Sequence, residues 1–244
     1  MNYGCQLYSC RNFQPLSALP QALAEVGYSS VEGYPDVYGD PAGFRSLLDA
    51  AGLIMPSGHF PLAMLDETPG RVALGISKIF CPYLEEDQRP SDFDGWVALA
   101  RRLEAIGANM RERELTFGWH NHDFEFVALP TGEMPMAILL THAPSIEWEA
   151  DIAWIVRSGN DPLAWIAQYE DRITAVHVKD IAPVGTNQNE DGWADVGEGI
   201  VDWPNLLQKL DDGQRLFITE HDNPSDVLRF ARNSVEWLKS QEVK

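Results

Sequence analysis

Basic residues are scarce in this chain: 18 Lys and Arg stand against 37 Asp and Glu in 244 residues, a formal net charge of −19. A net anion is repelled by nucleic-acid backbones and by anionic membrane surfaces, which sets both aside as partners. Cysteine is scarce too. Cys5, Cys10 and Cys81 are odd in number and form no CxxC pair, so they read as reduced thiols of a cytoplasmic protein rather than a disulfide framework. No apolar run approaches the ~18 residues of a membrane span. Residues 1–11 lack the basic start and long apolar segment of a signal peptide. A G-x-G-x-x-G fingerprint is missing after the first apolar segment, which weakens an open dinucleotide-binding sheet. Low-complexity tracts and heptads are missing as well, and 45% hydrophobic with 23% charged residues excludes general disorder.

What is present is an alternation of short apolar strands with polar-studded helices. Strands are expected at Tyr3–Tyr8, Ser30–Glu32, Ile54–His59, Lys78–Cys81, Leu115–His120, Ile146–Asp151, Thr174–Lys179 and Leu216–Glu220. Helices are expected at Leu16–Val26, Pro41–Ala51, Leu65–Gly75, Phe93–Arg113, Met134–Thr141, Pro162–Tyr169, Trp203–Leu210 and Ser225–Leu238. The helix from Phe93 is the clearest, with Trp96, Leu99, Ala100, Leu103, Ile106 and Gly107 on one face. Gly27 and Gly52 follow two of the helices, where a left-handed cap ends them. Eight such alternations in about 250 residues predict a single α/β domain over residues 1–244, a closed (β/α)8 TIM barrel.

Chemistry in such a barrel sits at the C-terminal ends of the strands. Here those ends carry Glu32, His59, His120, Asp151, His177 with Lys179, and Glu220. Carboxylate oxygens and neutral imidazole nitrogens suit a divalent cation such as Mn, Co, Mg or Zn, whose open positions can hold vicinal substrate oxygens. Each residue alone has a plainer explanation. A strand-end Asp commonly caps the next helix, and a lone His is commonly a hydrogen-bonded structural residue. His221 and Asp222, before Asn223-Pro224, read as turn and cap residues, and Asp202 as the cap of the helix from Trp203. The joint occurrence at four successive late strands is what points to a metal.

Several stretches, taken together, resemble the xylose isomerase-like TIM barrels of the sugar phosphate isomerase/epimerase family. That group includes inosose dehydratases, ketose 3-epimerases and apurinic endonucleases. The stretches are His120-Asn121-His122-Asp123-Phe124-Glu125-Phe126, Asp151-Ile152-Ala153-Trp154, Arg172-Ile173-Thr174-Ala175-Val176-His177-Val178-Lys179-Asp180, Val196-Gly197-Glu198-Gly199-Ile200-Val201-Asp202-Trp203 and Ile218-Thr219-Glu220-His221-Asp222. The resemblance implies one divalent ion held by Glu, Asp, His and Glu from the late strands. Asp151, His177 and Glu220 match the last three. The first is a departure, because His120-Asn121-His122 stands where relatives often carry Glu-Asn-His. Either His120 takes that place or Glu125 reaches in, and Glu125 is preferred here as a third carboxylate to neutralise the cation.

The expected activity is isomerisation or epimerisation of a small keto-sugar or polyol through an enediolate. An inosose dehydratase-like lyase on the same site is the alternative, and a non-catalytic sugar-binding barrel a lesser one. Proton transfer is assigned to His122, Lys179 and Glu125. The Lys179 pKa is expected to fall beside a cation; an ion pair with Asp180 or Asp151 is the competing reading. Glu32, His59, His120 and Trp154 are expected to bind substrate. No P-loop is present, and Lys78 and Lys179 are the only lysines placed near strand ends, which favours an unphosphorylated substrate. Endonuclease chemistry would need more His and carboxylate ligands and a basic face. Barrels of this kind often form homo-oligomers.

Overall fold

The computed structural model describes residues 3–65 and 72–242. Eight parallel strands close into a barrel: β1 (Tyr3–Gln6), β2 (Ser30–Gly33), β3 (Ile54–His59), β4 (Lys78–Cys81), β5 (Thr116–His120), β6 (Glu147–Asp151), β7 (Ile173–Val178) and β10 (Leu216–Thr219), with β10 paired to β1. A short antiparallel pair, β8 (Asp180–Ile181) and β9 (Trp193–Ala194), follows β7 and was not expected from sequence. Its two-residue strands fall below the length at which alternation is visible.

The outer ring comprises α1 (Leu19–Val26), α2 (Pro41–Ala51), α3 (Phe93–Arg111), α4 (Pro135–His142), α5 (Ile152–Arg157), α6 (Pro162–Tyr169), α7 (Trp203–Leu210) and α8 (Val227–Gln241). The expected helix over Leu65–Gly75 falls partly outside the described residues, and a 3₁₀ turn occupies Val72–Leu74. Helix α5 was not expected, because it begins directly at the end of β6 and has only 6 residues. Asp92 starts α3 by accepting the Gly95 N–H at 2.8 Å, and Trp96, Val97, Ala100, Leu103, Gly107 and Met110 form its buried stripe. Gly27 (φ 114°) and Gly52 (φ 70°) end α1 and α2 in the left-handed conformation that glycine adopts without a steric penalty. The start of α8 corrects the expected boundary, since Asp226 rather than Ser225 occupies the N-cap. Asp202 stands at the N-cap of α7 but makes no side-chain cap bond.

Within the barrel, polarity varies along the axis. At the N-terminal end Glu147 accepts from Lys78 Nζ (2.8 Å), Thr116 Oγ1 (3.1 Å) and Thr174 Oγ1 (2.6 Å), closing the bottom with a satisfied ion pair. Above it Phe80, Ala175 and Ile218 form a small apolar cluster separate from the main core. The main core lies between barrel and helices. A Cβ at Gly118 would stand 2.6 Å from the Glu147 carbonyl oxygen and 2.7 Å from the Phe80 ring, so β5 passes this level only as glycine. Gly118→Ala is expected to cost about 1–3 kcal/mol by overpacking, measurable by urea denaturation; wild-type stability would refute the tight packing.

The β8–β9 segment is tied to α8 by charge. Arg229 donates to both Glu190 oxygens (3.0 and 2.9 Å) and to Asp195 (3.1 Å), while Ser225 N donates to Glu190 at 2.9 Å. Burial opposes ionisation of Glu190, but these bonds outweigh it and hold its pKa down to about 2. A depressed carboxyl stabilises the fold above its unfolded pKa, and that stabilisation is lost as pH falls through the folded value. Glu190→Gln is therefore expected to cost about 1–2 kcal/mol at pH 7, a gap that thermal melts should show closing between pH 5 and pH 2.

Candidate active site

A cavity of about 520 Å³ opens at the C-terminal mouth of the barrel. Its walls include the rings of Tyr8, Tyr34, Tyr83, Phe124 and Trp154, and its polar lining includes His59, His120, His122, Glu220 and Asp222. The inward face of β6 explains much of the floor. Side chains alternate along a strand, so Glu147, Glu149 and Asp151 fall on one face, spaced from the bottom of the barrel towards the mouth. His120 ends β5, His177 lies in β7, and Glu220 follows β10.

His120, Asp151, His177 and Glu220 each bring one donor atom to within 4.8 Å of the others, all buried. A second set, His59, His120, Glu149 and His177, meets the same limit and shares both His120 and His177. Asp151 serves two purposes. Its Oδ1 accepts the Trp154 N–H at 2.9 Å and caps α5, as the capping explanation required, while its buried Oδ2 has no hydrogen-bond partner. Burial raises the Asp151 pKa to about 7, with Lys179 acting against the rise. His177 Nδ1 bonds Glu220 at 2.9 Å, and its Nε2 bonds Glu32 at 2.7 Å. Burial disfavours its charge, but Glu149 and Glu220 raise its pKa well above the ordinary value. Burial and the neighbouring His177 lower His120 to about 4, so its ring is neutral near pH 7.

The structure gathers some expected residues and not others. Asp151, His177 and Glu220 come together, and His120 joins them. Glu125 is absent from both donor sets: it accepts from Trp119 Nε1 (2.9 Å) and the His122 N–H (2.9 Å), supporting the loop after β5. Burial raises its pKa to about 8. The preference for Glu125 over His120 is thus reversed, since its two oxygens are already occupied by neighbouring donors. Glu32 does not line the cavity. Fully buried, it accepts from Gln6 Nε2 at 2.8 Å as well as from His177, and lies 3.2 Å from His59 Nε2. His59, His122 and Trp154 do line it.

Lys179 is likewise corrected. Its ammonium donates to Asp222 (2.7 Å) and Glu220 (3.4 Å), lies 3.7 Å from Asp151, and sits over the Trp193 ring at 4.2 Å. Burial works against the charge, but the three carboxylates raise the pKa above the usual lysine value. Of the two partners expected for an ion pair, Asp151 is within reach at 3.7 Å, whereas Asp180 is engaged elsewhere, accepting backbone N–H groups from Ile181, Gly197, Gly199 and Val201. Asp222, read from sequence as a turn residue, is the closest partner of Lys179. His221 does make its turn, accepting the Asn223 N–H at 3.1 Å. Two residues received no role from sequence, Glu149 and Gln6. Period-2 spacing from Asp151 was the signal available for Glu149.

The closed parallel barrel with ionisable groups at one mouth defines an α/β-barrel enzyme architecture. The sequence profile of the xylose isomerase-like TIM barrel family matches residues 71–241, and the chain belongs to that family. An inosose dehydratase of Lacticaseibacillus casei is 33% identical over 88 residues, 36% of this chain and 29% of that protein. The match thus covers under a third of that relative's length. A sugar phosphate isomerase/epimerase of Parabacteroides distasonis superposes with a TM-score of 0.79 at 20% identity, covering 98% of this chain and 93% of that one. The IolI protein, solved with a bound zinc atom, superposes at 0.76 with 10% identity and covers 99% and 98%. At these identities the superpositions establish the fold alone. Among the described residues no helix is long and apolar enough to cross a membrane.

The double role of Asp151 is testable in the isolated protein. Asp151→Asn keeps an oxygen acceptor for the Trp154 N–H, whereas Asp151→Ala removes it. The alanine variant is expected to be less stable than the asparagine variant by about 1 kcal/mol, read from chemical denaturation. Equal stabilities would remove the capping role.

Proposed function

We propose that the protein is a divalent-metal-dependent isomerase or epimerase of a small, unphosphorylated keto-sugar or polyol. The observation that carries this reading is the meeting of donor atoms from His120, Asp151, His177 and Glu220 at the mouth, where the buried Asp151 Oδ2 has no hydrogen-bond partner and only the Lys179 ammonium at 3.7 Å. A buried carboxylate oxygen without a hydrogen-bond donor is costly unless a cation or solvent satisfies it. Two imidazoles and two carboxylates suit Mn, Co, Mg or Zn. A bound ion would supply Lewis acidity to the substrate carbonyl and a neighbouring hydroxyl.

The chain's own groups supply the rest. His122 lines the cavity, and burial with the neighbouring His120 and Lys179 keeps its ring neutral, so it is the group assigned to take a proton from the carbon beside the carbonyl, giving an enediolate. Proton return to the adjacent carbon isomerises the sugar. Lys179 does not line the cavity, whereas its partners Glu220 and Asp222 do; it is assigned to position these carboxylates rather than to touch the reacting atoms. The aromatic walls exclude water and stack on the sugar ring. Among the described residues Arg89 is the single cation of the lining, against Glu85, Asp123, Glu220 and Asp222, which disfavours a phosphorylated substrate. A dehydratase uses the same proton abstraction followed by loss of the neighbouring hydroxyl, and the inosose dehydratase relative supports this second reading.

Protein purified without chelator should carry a stoichiometric divalent ion by elemental analysis, and its absence would sink both readings. Keto-sugars and inososes incubated with the enzyme in deuterated water and followed by NMR then separate them. Exchange without water loss indicates the isomerase, and loss of a hydroxyl the lyase. His122→Gln should keep the ion while proton exchange falls about 10²–10⁴-fold; an unchanged exchange rate would remove His122 from the chemistry.

A further inference from the structure

In the second donor set, beneath the first, His59 and Glu149 have no task in the proposal above. Glu149 lies at its centre. It is fully buried, and one oxygen, Oε2, is 2.6 Å from His59 Nε2, 3.1 Å from His120 Nδ1 and 3.4 Å from His177 Nε2. These spacings argue against a second metal there. Two ligands of one first-row ion, each at ~2.0–2.2 Å from it, stand about 3 Å or more apart, whereas His59 and Glu149 are close enough to share a proton. The set is a hydrogen-bonded plate in which three imidazole nitrogens face one carboxylate.

That plate fixes which nitrogens remain for the upper set. An imidazole has two nitrogens, and the hydrogen bond at one decides the role of the other. His120 gives Nδ1 to Glu149, which leaves Nε2. His177 gives Nε2 to Glu32 and Glu149, which leaves Nδ1 on the Glu220 side. Glu32 is held in turn by Gln6, so the plate extends across the barrel to β1. The three histidine rings pack together, with centroids of His59 and His177 5.3 Å apart and of His120 and His177 4.5 Å apart. Rotation of one ring therefore requires the others to move.

We propose that Glu149 is a positioning residue that holds His120 in its Nδ1–H tautomer, and His177 in its ring orientation, so that both present their other nitrogen to a divalent ion. This rests on the metal-dependent reading above, but its first readout does not. Long-range 1H–15N spectra of the metal-stripped full-length protein should show His120 protonated at Nδ1. In Glu149→Gln, whose amide can face the ring with either its oxygen or its NH2, that tautomer should give way to a mixture or to Nε2–H. The second readout is Zn2+ and Mn2+ affinity, measured by competition with a chromophoric chelator. Glu149→Gln should bind about 10–100-fold more weakly. Glu147→Gln, two residues away on the same strand at the barrel bottom, should bind as wild type does. Should Glu149→Gln fail to fold, Glu149→Asp keeps the charge but withdraws it by one methylene, and should also bind metal more weakly. An unchanged His120 tautomer, or wild-type affinity in every folded Glu149 variant, overturns the proposal. Wild-type protein that takes up neither ion overturns the functional reading instead, while the tautomer measurement still decides the role of Glu149.

Discussion

The site depends on one constraint: eight ionisable side chains, Glu32, His59, His120, Glu149, Asp151, His177, Lys179 and Glu220, are buried in or just above the barrel. Each would be costly alone, and the structure tolerates them because they are satisfied jointly. Glu149 and Glu32 take the imidazole protons from below, and Glu220 and Asp222 take the Lys179 ammonium from above. One oxygen of each of three buried carboxylates, Glu32 Oε2, Glu149 Oε1 and Asp151 Oδ2, is left without a hydrogen-bond partner. The apolar layer of Phe80, Ala175 and Ile218 separates this network from the Lys78–Glu147 pair at the bottom.

The replacement of a carboxylate by His120 alters the charge of the upper set. With Glu125 committed to Trp119 and His122, the set carries two carboxylates and two imidazoles. Less negative charge is offered to a cation there, and Lys179 offsets part of that at 3.7 Å from Asp151. The carboxylate below, Glu149, compensates indirectly, since a hydrogen bond from an imidazole N–H to a carboxylate makes the opposite nitrogen a better donor.

Among the described residues the cavity above this floor is framed by aromatic rings and by more carboxylates than cations. Such walls suit a neutral polyhydroxylated ring, which stacks on its apolar face and hydrogen-bonds at its edge. The segment from β8 to α7 supports the same mouth. Asp180 gathers four backbone N–H groups of the glycine-containing loop, and the Trp203 indole donates to the Lys179 carbonyl at 3.1 Å. The loop's hydrogen bonds thus hold the backbone on which Lys179 is mounted.

The barrel, its strand ends and three of the residues that meet at its mouth were legible in the sequence because they follow local rules. Ile54–His59, Lys78–Cys81 and Trp203–Leu210 have the bounds their pattern predicts, and the late strand ends Asp151, His177 and Glu220 meet. Local rules also gave the glycine ends of α1 and α2, and the capping habit of a strand-end Asp holds at Asp151, although α5 itself was not expected. They could not decide between His120 and Glu125, which are five residues apart, because the outcome depended on the reach of Trp119 and His122 towards one carboxylate. Nor could they pair Lys179 with Asp222, 43 residues away, or centre Glu149 among imidazoles from β3, β5 and β7. Secondary structure follows from periodicity along the chain. The partners of a buried charge are set by barrel closure, which brings distant strand ends within hydrogen-bonding distance.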